Sequence, residues 1–414
     1  MSRGDRLAEV LSSLAAARLE EAEVYAKTGR SRHVALSVAG ELVAMNEEAG
    51  WAVRAGDRKG SFFWAESGEP RPLAGWPRPA GAPLVLAGPE LGSPWTEPRD
   101  FEAPLLAERE SLALLHAIDR ELASELPGAR LVSARLDDGA SESQLANSRG
   151  LRVAWRSRLA ALRLEAVGPG GQSTTLALAE REPRRFAPKA LARRLADNLS
   201  LAASGRPPEP GPADSLLAPA VVAVLLAAWV AGPAGELRGP VADGLTLVDD
   251  GRLPGGALEA PFDGAGAPTR RRVLLERGQP VLAAGSGPFG IRRASWRDAP
   301  RLAPSHLYLE PAPRVSVASL LARLQRGHYW IEATSPVATG AEPGAFRVEV
   351  SGFAVEGGRA RAPVAGALLT GTFQGLFEGA LALARDLSFF PLDGMVGSPT
   401  LLVHGLRARP AGNG

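Results

Sequence analysis

The hydrophobic positions of the first 204 residues form two similar series. Leu7, Val10, Leu11 and Leu14 recur at helical spacing and predict a helix over 5–19. Alternating apolar and polar residues then predict strands near 22–28, 33–39, 41–46, 50–55 and 60–65. The second series predicts a helix at about 108–126, strands near 129–136, 142–147, 150–156, 158–166 and 173–180, and a closing helix at 187–203. Both series therefore predict a helix followed by an antiparallel sheet.

These units, 5–65 and 108–203, suggest an internal duplication. Gly50 and Val53 of the first recur as Gly150 and Val153 of the second, and an asparagine lies a few residues before each glycine (Asn46 and Asn147). A Pro-rich segment, 70–104, separates the units and has no periodicity. Such a long irregular segment is either a surface loop that wraps the protein or an arm that contacts a partner.

A Pro/Gly-rich stretch (GRPPEPGPA, 205–213) cannot propagate a helix and predicts a linker between an N-terminal α+β region, 1–204, and a C-terminal domain, 214–414. The C-terminal pattern predicts helices at about 316–326 and 373–385 and short strands at 244–249, 270–276, 280–285, 305–310, 328–334, 346–355, 359–364 and 399–406. The predicted class is α+β, with a mainly antiparallel β barrel or sandwich and a few helices in the C-terminal domain.

One apolar run, Leu216 to Ala231, contains no His, Glu, Asp or Cys. It is too short for a membrane span of about 20 residues, since Pro219 and Gly232 interrupt the uncharged stretch. We therefore predict a buried core helix. The N-terminus mixes acidic and basic residues and is not a signal peptide, so we expect a cytoplasmic protein with no membrane partner.

Composition excludes several classes of function. The 414 residues are 45% hydrophobic, which is ample for a core, and the net charge is only +2. No block of five like charges occurs, so a nucleic-acid partner is not indicated. The absence of cysteine excludes disulfides, a thiolate nucleophile and cysteine metal ligands.

Catalytic and metal-binding motifs are also missing. A helical zinc site needs ligands at positions i and i+4, whereas no two histidines lie within ten residues of each other. The five are His33, His116, His306, His328 and His404. Gly285-Ser286-Gly287 lacks the spacing of a nucleophile elbow, and no phosphate-binding loop occurs. We expect no catalytic residue and no metal ligand in this chain.

What remains is a set of turn-like motifs. Adjacent Asp249 and Asp250, followed by a Gly/Pro turn, could bind a cation, but a turn whose Asp side chains bind their own backbone is the preferred interpretation. Asp263-Gly264 is also predicted to form a turn, because glycine can adopt a positive φ. The arginines 270–272 alternate faces in a predicted strand; one or two could meet Asp249, Asp250 or a peptide carboxylate, although a solvated face is commoner.

Four segments closely resemble the C-terminal domain of the TldD/PmbA family of peptidases. They are LTLVDDGRLPGG (245–256), PFDGAGAPTRRRVLLERG (261–278), SGFAVEGG (351–358) and GSPTLLVHGL (397–406). In catalytic members of that family, the helix entering this domain carries a His-Glu-x-x-x-His metal box. The corresponding run here is aliphatic, so the chain resembles the non-catalytic sister subunit, the PmbA or TldE type.

The resemblance implies a set of candidate family-motif and peptide-cavity residues: Asp249, Asp250, Gly255, Gly256, Phe262, Asp263, Gly264, Arg270, Gly352 and Phe353. In the family, this loop and strand are similar in catalytic and sister subunits. That similarity favours an architectural role over a catalytic one.

The resemblance also implies a heteromer. A TldD-like, metal-bearing homologue would be the partner and would hold the zinc, and this chain would complete a cavity for an unfolded or extended peptide. Such a peptide can bind by adding a strand to a sheet edge. Two alternatives stay open: a stand-alone peptide-binding or scaffold protein, and an independent metallopeptidase whose ligands come from distant positions.

Overall fold

The computed structural model describes residues 3–58, 60–80, 82–89, 97, 99–231, 240–281, 289–334, 337–338 and 344–411. The α-helices in these ranges are α1 (Arg3–Ala16), α2 (Glu108–Glu125), α3 (Pro188–Ser204), α4 (Pro219–Ala231), α5 (Val317–Arg323) and α6 (Phe373–Glu378). Two 3-10 helices span Arg99–Glu102 and Pro183–Arg185. Most of the remaining regular structure is antiparallel sheet.

The N-terminal sheet has the order β3-β2-β1-β4-β5-β6 and is antiparallel throughout. Its strands are β1 (Glu21–Ser37), β2 (Gly40–Asp57), β3 (Gly60–Ser67), β4 (Arg130–Asn147), β5 (Arg152–Val167) and β6 (Ser173–Glu180). Neighbouring short strands of the sequence prediction are merged into these long ones. Polar residues that interrupt the apolar alternation do not interrupt the backbone ladder, because the adjacent strands supply its hydrogen bonds.

Helices cover one face of this sheet. Leu7, Val10 and Leu14 of α1 pack on the β1–β2 half of the sheet, and α2 and α3 pack on the other half. Each half is a helix followed by a three-stranded meander, and the first strands of the two meanders pair at the centre. The internal duplication is not tested by this symmetry and stays a prediction. The opposite face of the sheet is polar and faces the C-terminal region.

The described part of the C-terminal region contains two large sheets and one two-stranded sheet. Its strands are β7 (Gly211–Leu217), β8 (Leu247–Asp250), β9 (Arg271–Glu276), β10 (Gln279–Pro280), β11 (Ile291–Arg292), β12 (Arg301–Leu302), β13 (His306–Leu309), β14 (Arg326–Ala333), β15 (Val337–Ala338), β16 (Ala345–Glu356), β17 (Arg359–Thr372), β18 (Ala380–Leu383), β19 (Ser388–Leu392), β20 (Gly394–Ser398) and β21 (Leu401–Pro410). Strands β14, β7, β21, β17 and β16 close into a barrel through the β14–β16 pairing. A second sheet has the order β10-β9-β8-β13-β20-β19, and β11 pairs with β12. The α+β class with a C-terminal barrel is confirmed.

Helix α4 fills the space between the barrel and the second sheet. It packs against β14, β19 and β20, and Val221, Val222, Leu225 and Leu226 are fully buried. The predicted buried helix is confirmed, although it begins at Pro219, a residue suited to a first helical turn, while Leu216 and Leu217 belong to β7. Among the described helices, none is long and apolar enough to cross a membrane.

Several boundaries differ from the sequence prediction. Strand β7 begins at Gly211, inside the stretch 205–213 interpreted as a linker, because its backbone pairs with β14 and β21. Helix α6 ends at Glu378 rather than 385, since β18 starts at Ala380. Of the predicted strand 280–285, only 280–281 are described, and Gly285 to Gly287 lie outside the described residues. The division into domains stays a prediction.

The described parts of the Pro-rich segment 70–104 lie against the N-terminal sheet. Trp76 donates to the Ser13 hydroxyl (3.1 Å) and meets Trp51 edge to face, and the buried Leu86 accepts at its carbonyl from Arg149. These contacts favour the interpretation as a wrapped loop.

Candidate functional site

His306 lies buried beneath the loop that follows β8. Its Nδ1–H donates to the Asp250 carbonyl (2.9 Å), and its Nε2 accepts from the Leu258 N–H (3.2 Å). Both ring nitrogens are used by the neutral tautomer, and burial lowers the imidazole pKa to about 4. His306 is therefore a neutral residue that holds the loop, consistent with a satisfied core histidine.

Gly255 and Gly256 are required by the shape of this loop. Gly255 has φ +79°, and a Cβ on Gly256 would lie 2.4 Å from Nε2 of His306. The Gly255 N–H donates to Glu259 (3.0 Å), whose carboxylate pairs with the buried Arg181 (3.2 Å). This ion pair joins the loop to the chain segment that follows β6.

The aspartates of the sequence motif accept hydrogen bonds from backbone N–H groups. Asp250 accepts from the Arg252 N–H (2.8 Å) and Asp263 from Ala265 (2.9 Å), so both form the expected turns. Asp249 instead accepts from the Ser305 N–H of a neighbouring segment (2.8 Å). Burial raises the pKa of Asp249 to about 6 and raises that of Asp263 as well.

Arg272 is the arginine that interacts electrostatically with these carboxylates. It lies opposite Asp249 in the pairing of β8 with β9, and it is also close enough to interact with Asp263. Arg271 pairs with Glu310 on the other side. Arg270, the arginine named as a candidate from sequence, is exposed and precedes the strand, so the β9 register does not direct it toward the aspartates.

A cavity of about 450 Å³, here called the sheet–loop cavity, lies between the polar face of the N-terminal sheet and the loop around Phe262, Asp263 and Gly264. Its floor consists of small and hydroxyl residues: Gly29, Ser31, Gly139, Ser141, Ser143 and Ser157. One wall is aromatic, because Trp155 lies 6.2 Å from Tyr25 and 6.1 Å from Phe262 between ring centroids. The volume falls in the range of small-molecule and cofactor sites.

A buried charge cluster closes one end of this cavity. Glu23 accepts a forked pair of bonds from Arg54 (3.1 and 2.8 Å) and also pairs with Arg293. Arg293 lies 4.7 Å above the Tyr25 ring and donates to the Gly264 carbonyl (2.6 Å). Sequence reasoning missed this cluster because 270 positions separate Glu23 and Arg293. The one signal was a glutamate at 23 beside the apolar residues Ala22 and Val24.

A second cavity, of about 620 Å³, lies at the N-terminal end of α4 and is here called the helix cavity. It is lined by Pro219, Gly256 and His306, and by Arg194, which pairs with Glu332 (3.1 Å) and covers the Phe390 ring. Within the described ranges, no group of three or more His, Cys, Asp or Glu side chains lies close enough to hold a metal ion.

Gly352 and Phe353 lie in the barrel wall and line neither cavity. A Cβ on Gly352 would lie 2.0 Å from the Tyr329 carbonyl, so glycine permits the close approach of β14 and β16 at an irregularity in their register. Phe353 is half-buried. The structure thus brings together the candidates between Asp249 and Gly264 and separates Arg270, Gly352 and Phe353 from them.

Two family models match the sequence over about two thirds of its length. Residues 103–202 match the PmbA/TldA metallopeptidase central domain, and residues 234–409 match the PmbA/TldA metallopeptidase C-terminal domain. No curated protein sequence matches the chain.

Solved structures share the fold over nearly the whole chain. TldE from Thermococcus kodakarensis is 16% identical, with a TM-score of 0.80 over 99% of this chain and 100% of that one. A putative modulator of a DNA gyrase from Thermotoga maritima is 16% identical, with a TM-score of 0.78 over 98% and 100%. A putative modulator of DNA gyrase from Bacteroides thetaiotaomicron is 15% identical, with a TM-score of 0.77 over 98% of each chain.

Proposed function

This chain belongs to the PmbA/TldD family of metallopeptidases, and we propose that it serves there as a non-catalytic, TldE-like subunit. It assembles with a TldD-like homologue that carries the metal ion, expected to be zinc, and it completes the cavity in which a peptide is processed. The fold similarity to a TldE supports this assignment.

The observation that carries the proposal is the composition and packing of α4. In catalytic relatives, the helix that enters the C-terminal domain carries the metal box. The helix at this position here is PAVVAVLLAAWVA, and its side chains are packed in the core between barrel and second sheet. A helix without a metal ligand or a general base cannot supply the chemistry of a metallopeptidase.

The sheet–loop cavity supports a role in holding peptide. Its hydroxyl floor offers both hydrogen-bond donors and acceptors. Its aromatic wall offers apolar surface that can contact peptide side chains of different kinds. The buried aspartates, His306 and the Glu23 cluster fix the loop that forms its roof. These residues shape the cavity and take no part in bond cleavage.

The test is reconstitution with the metal-bearing homologue encoded by the same genome. Cleavage of an unfolded protein substrate should require both chains. Changing the Glu of the homologue's metal box to Gln should abolish cleavage while the complex still assembles, as judged by size-exclusion chromatography. Full peptidase activity of the homologue alone, with no stable complex, would refute the proposal.

The same experiment separates the two alternatives. An independent metallopeptidase would cleave peptides alone and retain about one zinc per chain after dialysis. A stand-alone peptide-binding protein would bind peptide without assembling with the homologue. Either result would assign the chain to another class.

A further inference from the structure

The floor of the sheet–loop cavity has a glycine near its centre. Gly139 of β4 lies between Ser31 of β1 and Leu159 of β5 in the strand register. In the next row of the same face, Gly29 lies opposite Ser141. Two glycines and small hydroxyl side chains therefore leave a flat area of sheet open beneath the cavity.

The fold does not require glycine at position 139. Its φ is not positive, and a Cβ there would lie 3.6 Å from the Ser31 Cβ, an ordinary van der Waals contact. Gly50 of the same sheet differs, since its Cβ would lie 2.1 Å from the Trp296 ring. Glycine weakens a strand and often marks a place where a ligand approaches the backbone. Gly139 thus keeps open a space that strand packing does not need.

Large apolar side chains border this space and stay partly exposed. Trp155 and Phe262 are half-buried, with ring centroids 6.1 Å apart, and Leu159 is 38% exposed. All three line the cavity. An apolar group bound there would remove their surface from water, and an aromatic ring would add contacts with the two aromatic side chains.

The charged groups that line the cavity already have partners. Lys27 pairs with Glu48 (3.3 Å), and Glu259 pairs with Arg181 (3.2 Å). Every other charged side chain of the lining is likewise bonded to an opposite charge or to a backbone group. A charged ligand group would have to displace one of these partners, because a buried charge is costly without one. The lining therefore favours a neutral group.

We infer that the sheet–loop cavity is a subsite for one aromatic side chain of the peptide, which rests on the flat floor at Gly139 and contacts Trp155 and Phe262. The inference rests on the proposed function for the identity of the ligand as a peptide. Beside the floor, the hydroxyls of Ser141 and Ser157 bond to each other (2.8 Å). Only one of the two O–H groups donates in that bond, so the other can donate to a carbonyl of the bound peptide.

The first test compares matched peptides on the isolated, full-length chain by isothermal titration calorimetry. The peptides are unstructured glycine/serine sequences with phenylalanine, leucine, lysine, glutamate or alanine at one central position. The phenylalanine peptide should bind about tenfold more tightly than the alanine peptide, because its ring buries apolar surface and contacts the aromatic wall. A phenylalanine peptide that binds no more tightly than the other four would overturn the inference.

A second test fills the floor. Gly139→Val has room for its Cβ and suits a strand, so the variant should melt at or above the temperature of the unmodified protein. It should weaken binding of the phenylalanine peptide by about tenfold. A folded Gly139→Val variant with unchanged affinity would also overturn the inference.

Gly371→Val is the matched control for this variant. Gly371 also lies within a strand, β17, and a Cβ there would meet the Phe346 ring at an ordinary 3.6 Å. It does not line the cavity. The control should leave the affinity for the phenylalanine peptide unchanged.

Reconstitution with the metal-bearing homologue separates this inference from the proposed function. If the complex assembles and cleaves peptide while the isolated chain shows no preference for phenylalanine, only the inference fails. If the chain prefers the phenylalanine peptide and Gly139→Val removes that preference, the subsite is supported. Should the homologue then neither assemble with the chain nor require it for cleavage, only the proposed function fails, and the subsite belongs to a stand-alone peptide-binding protein.

Discussion

Helix α4 lies in the core and the loop from Asp249 to Gly264 is mostly half-buried, and they are held in opposite ways. The helix is aliphatic apart from Trp229, which stacks on Phe377 at 4.5 Å. The loop region is held by carboxylates and an imidazole that bind backbone groups of neighbouring segments. Dispersion and hydrophobic burial tolerate many residue combinations, whereas a buried polar group needs a particular partner.

That difference bears on how a subunit can lose catalysis and keep its fold. On the proposed function, ligands in the helix were replaceable by aliphatic residues of suitable volume, since the core gains from apolar side chains. The loop aspartates are not replaceable in that way, because their loss leaves buried N–H groups without partners. The polar motif therefore persists in a chain without a metal box.

The largest expected effect comes from placing a charge in α4. Leu226→Asp should prevent soluble folding, since an unpaired buried carboxylate costs several kcal/mol, comparable with the whole stability of a domain. Soluble yield and thermal melting measure it. Ala231→Asp, at the exposed end of the same helix, is the control and should melt near the unmodified protein. A soluble Leu226→Asp variant with an unchanged melting temperature would contradict the packing described for α4.

The next largest effect is expected from the buried charge cluster of Glu23, Arg54 and Arg293. Glu23→Gln leaves Arg54 and Arg293 facing each other without their shared carboxylate, and removal of one partner of a buried pair costs about 3 to 5 kcal/mol. Urea unfolding measures the loss.

Two further variants test whether the loss of stability comes from the buried arginines that are left without a carboxylate. Combining Glu23→Gln with Arg293→Met should restore part of the stability, because the more deeply buried of the two unpaired cations is then gone while Arg54 remains. Arg270→Ala removes an exposed arginine and should change stability by less than about 0.5 kcal/mol. Equal losses from Glu23→Gln and Arg270→Ala would show that burial of the cluster does not matter.

The smallest effect is a change in how the free energy of unfolding depends on pH, which distinguishes the contribution of Asp249 from that of His306. The folded pKa of Asp249, about 6, lies above the unfolded value of 3.8, so its stabilising contribution is full below the unfolded value and is lost as pH rises through 6. The folded pKa of His306, about 4, lies below 6.5, so stability is lost as pH falls from 6.5 to 4. The two contributions oppose each other between pH 4 and 6.

Asp249→Asn removes one of these opposing contributions. Between pH 4 and pH 7, the difference in unfolding free energy between the variant and the unmodified protein should shift in favour of the variant by about 2 kcal/mol, at about 1.36 kcal/mol per pKa unit. Urea midpoints across this pH range give the difference curve. A difference that does not vary with pH would mean that Asp249 titrates normally.

Sequence reasoning located the elements better than their contacts. Periodicity predicted α1, α2, α3 and α4 close to their observed positions, because each buries a local stripe or run of apolar residues. It divided β1, β2, β4 and β5 into shorter strands, since a ladder continues through polar positions when neighbours pair with it.

The candidate site was predicted only in part. The segment from Asp249 to Gly264 was recognised from its turn chemistry and family resemblance, and it borders both cavities, with Phe262 to Gly264 at the first and Gly255 and Gly256 at the second. The partner residues were not recognised: Arg272 rather than Arg270 meets Asp249, and Tyr25, Trp155 and Arg293 come from distant parts of the chain. No local pattern reports which distant residues meet.

Residue types within short stretches were enough to predict the α+β class, the family, the aliphatic character of α4 and the turns of the loop. The closed barrel, and the sheet–loop cavity with the ion pair between Glu23 and Arg293 at one end, are visible only in the folded chain. Those features arise from pairings across many tens of residues, which hydrogen-bond geometry and burial select after the local elements have formed.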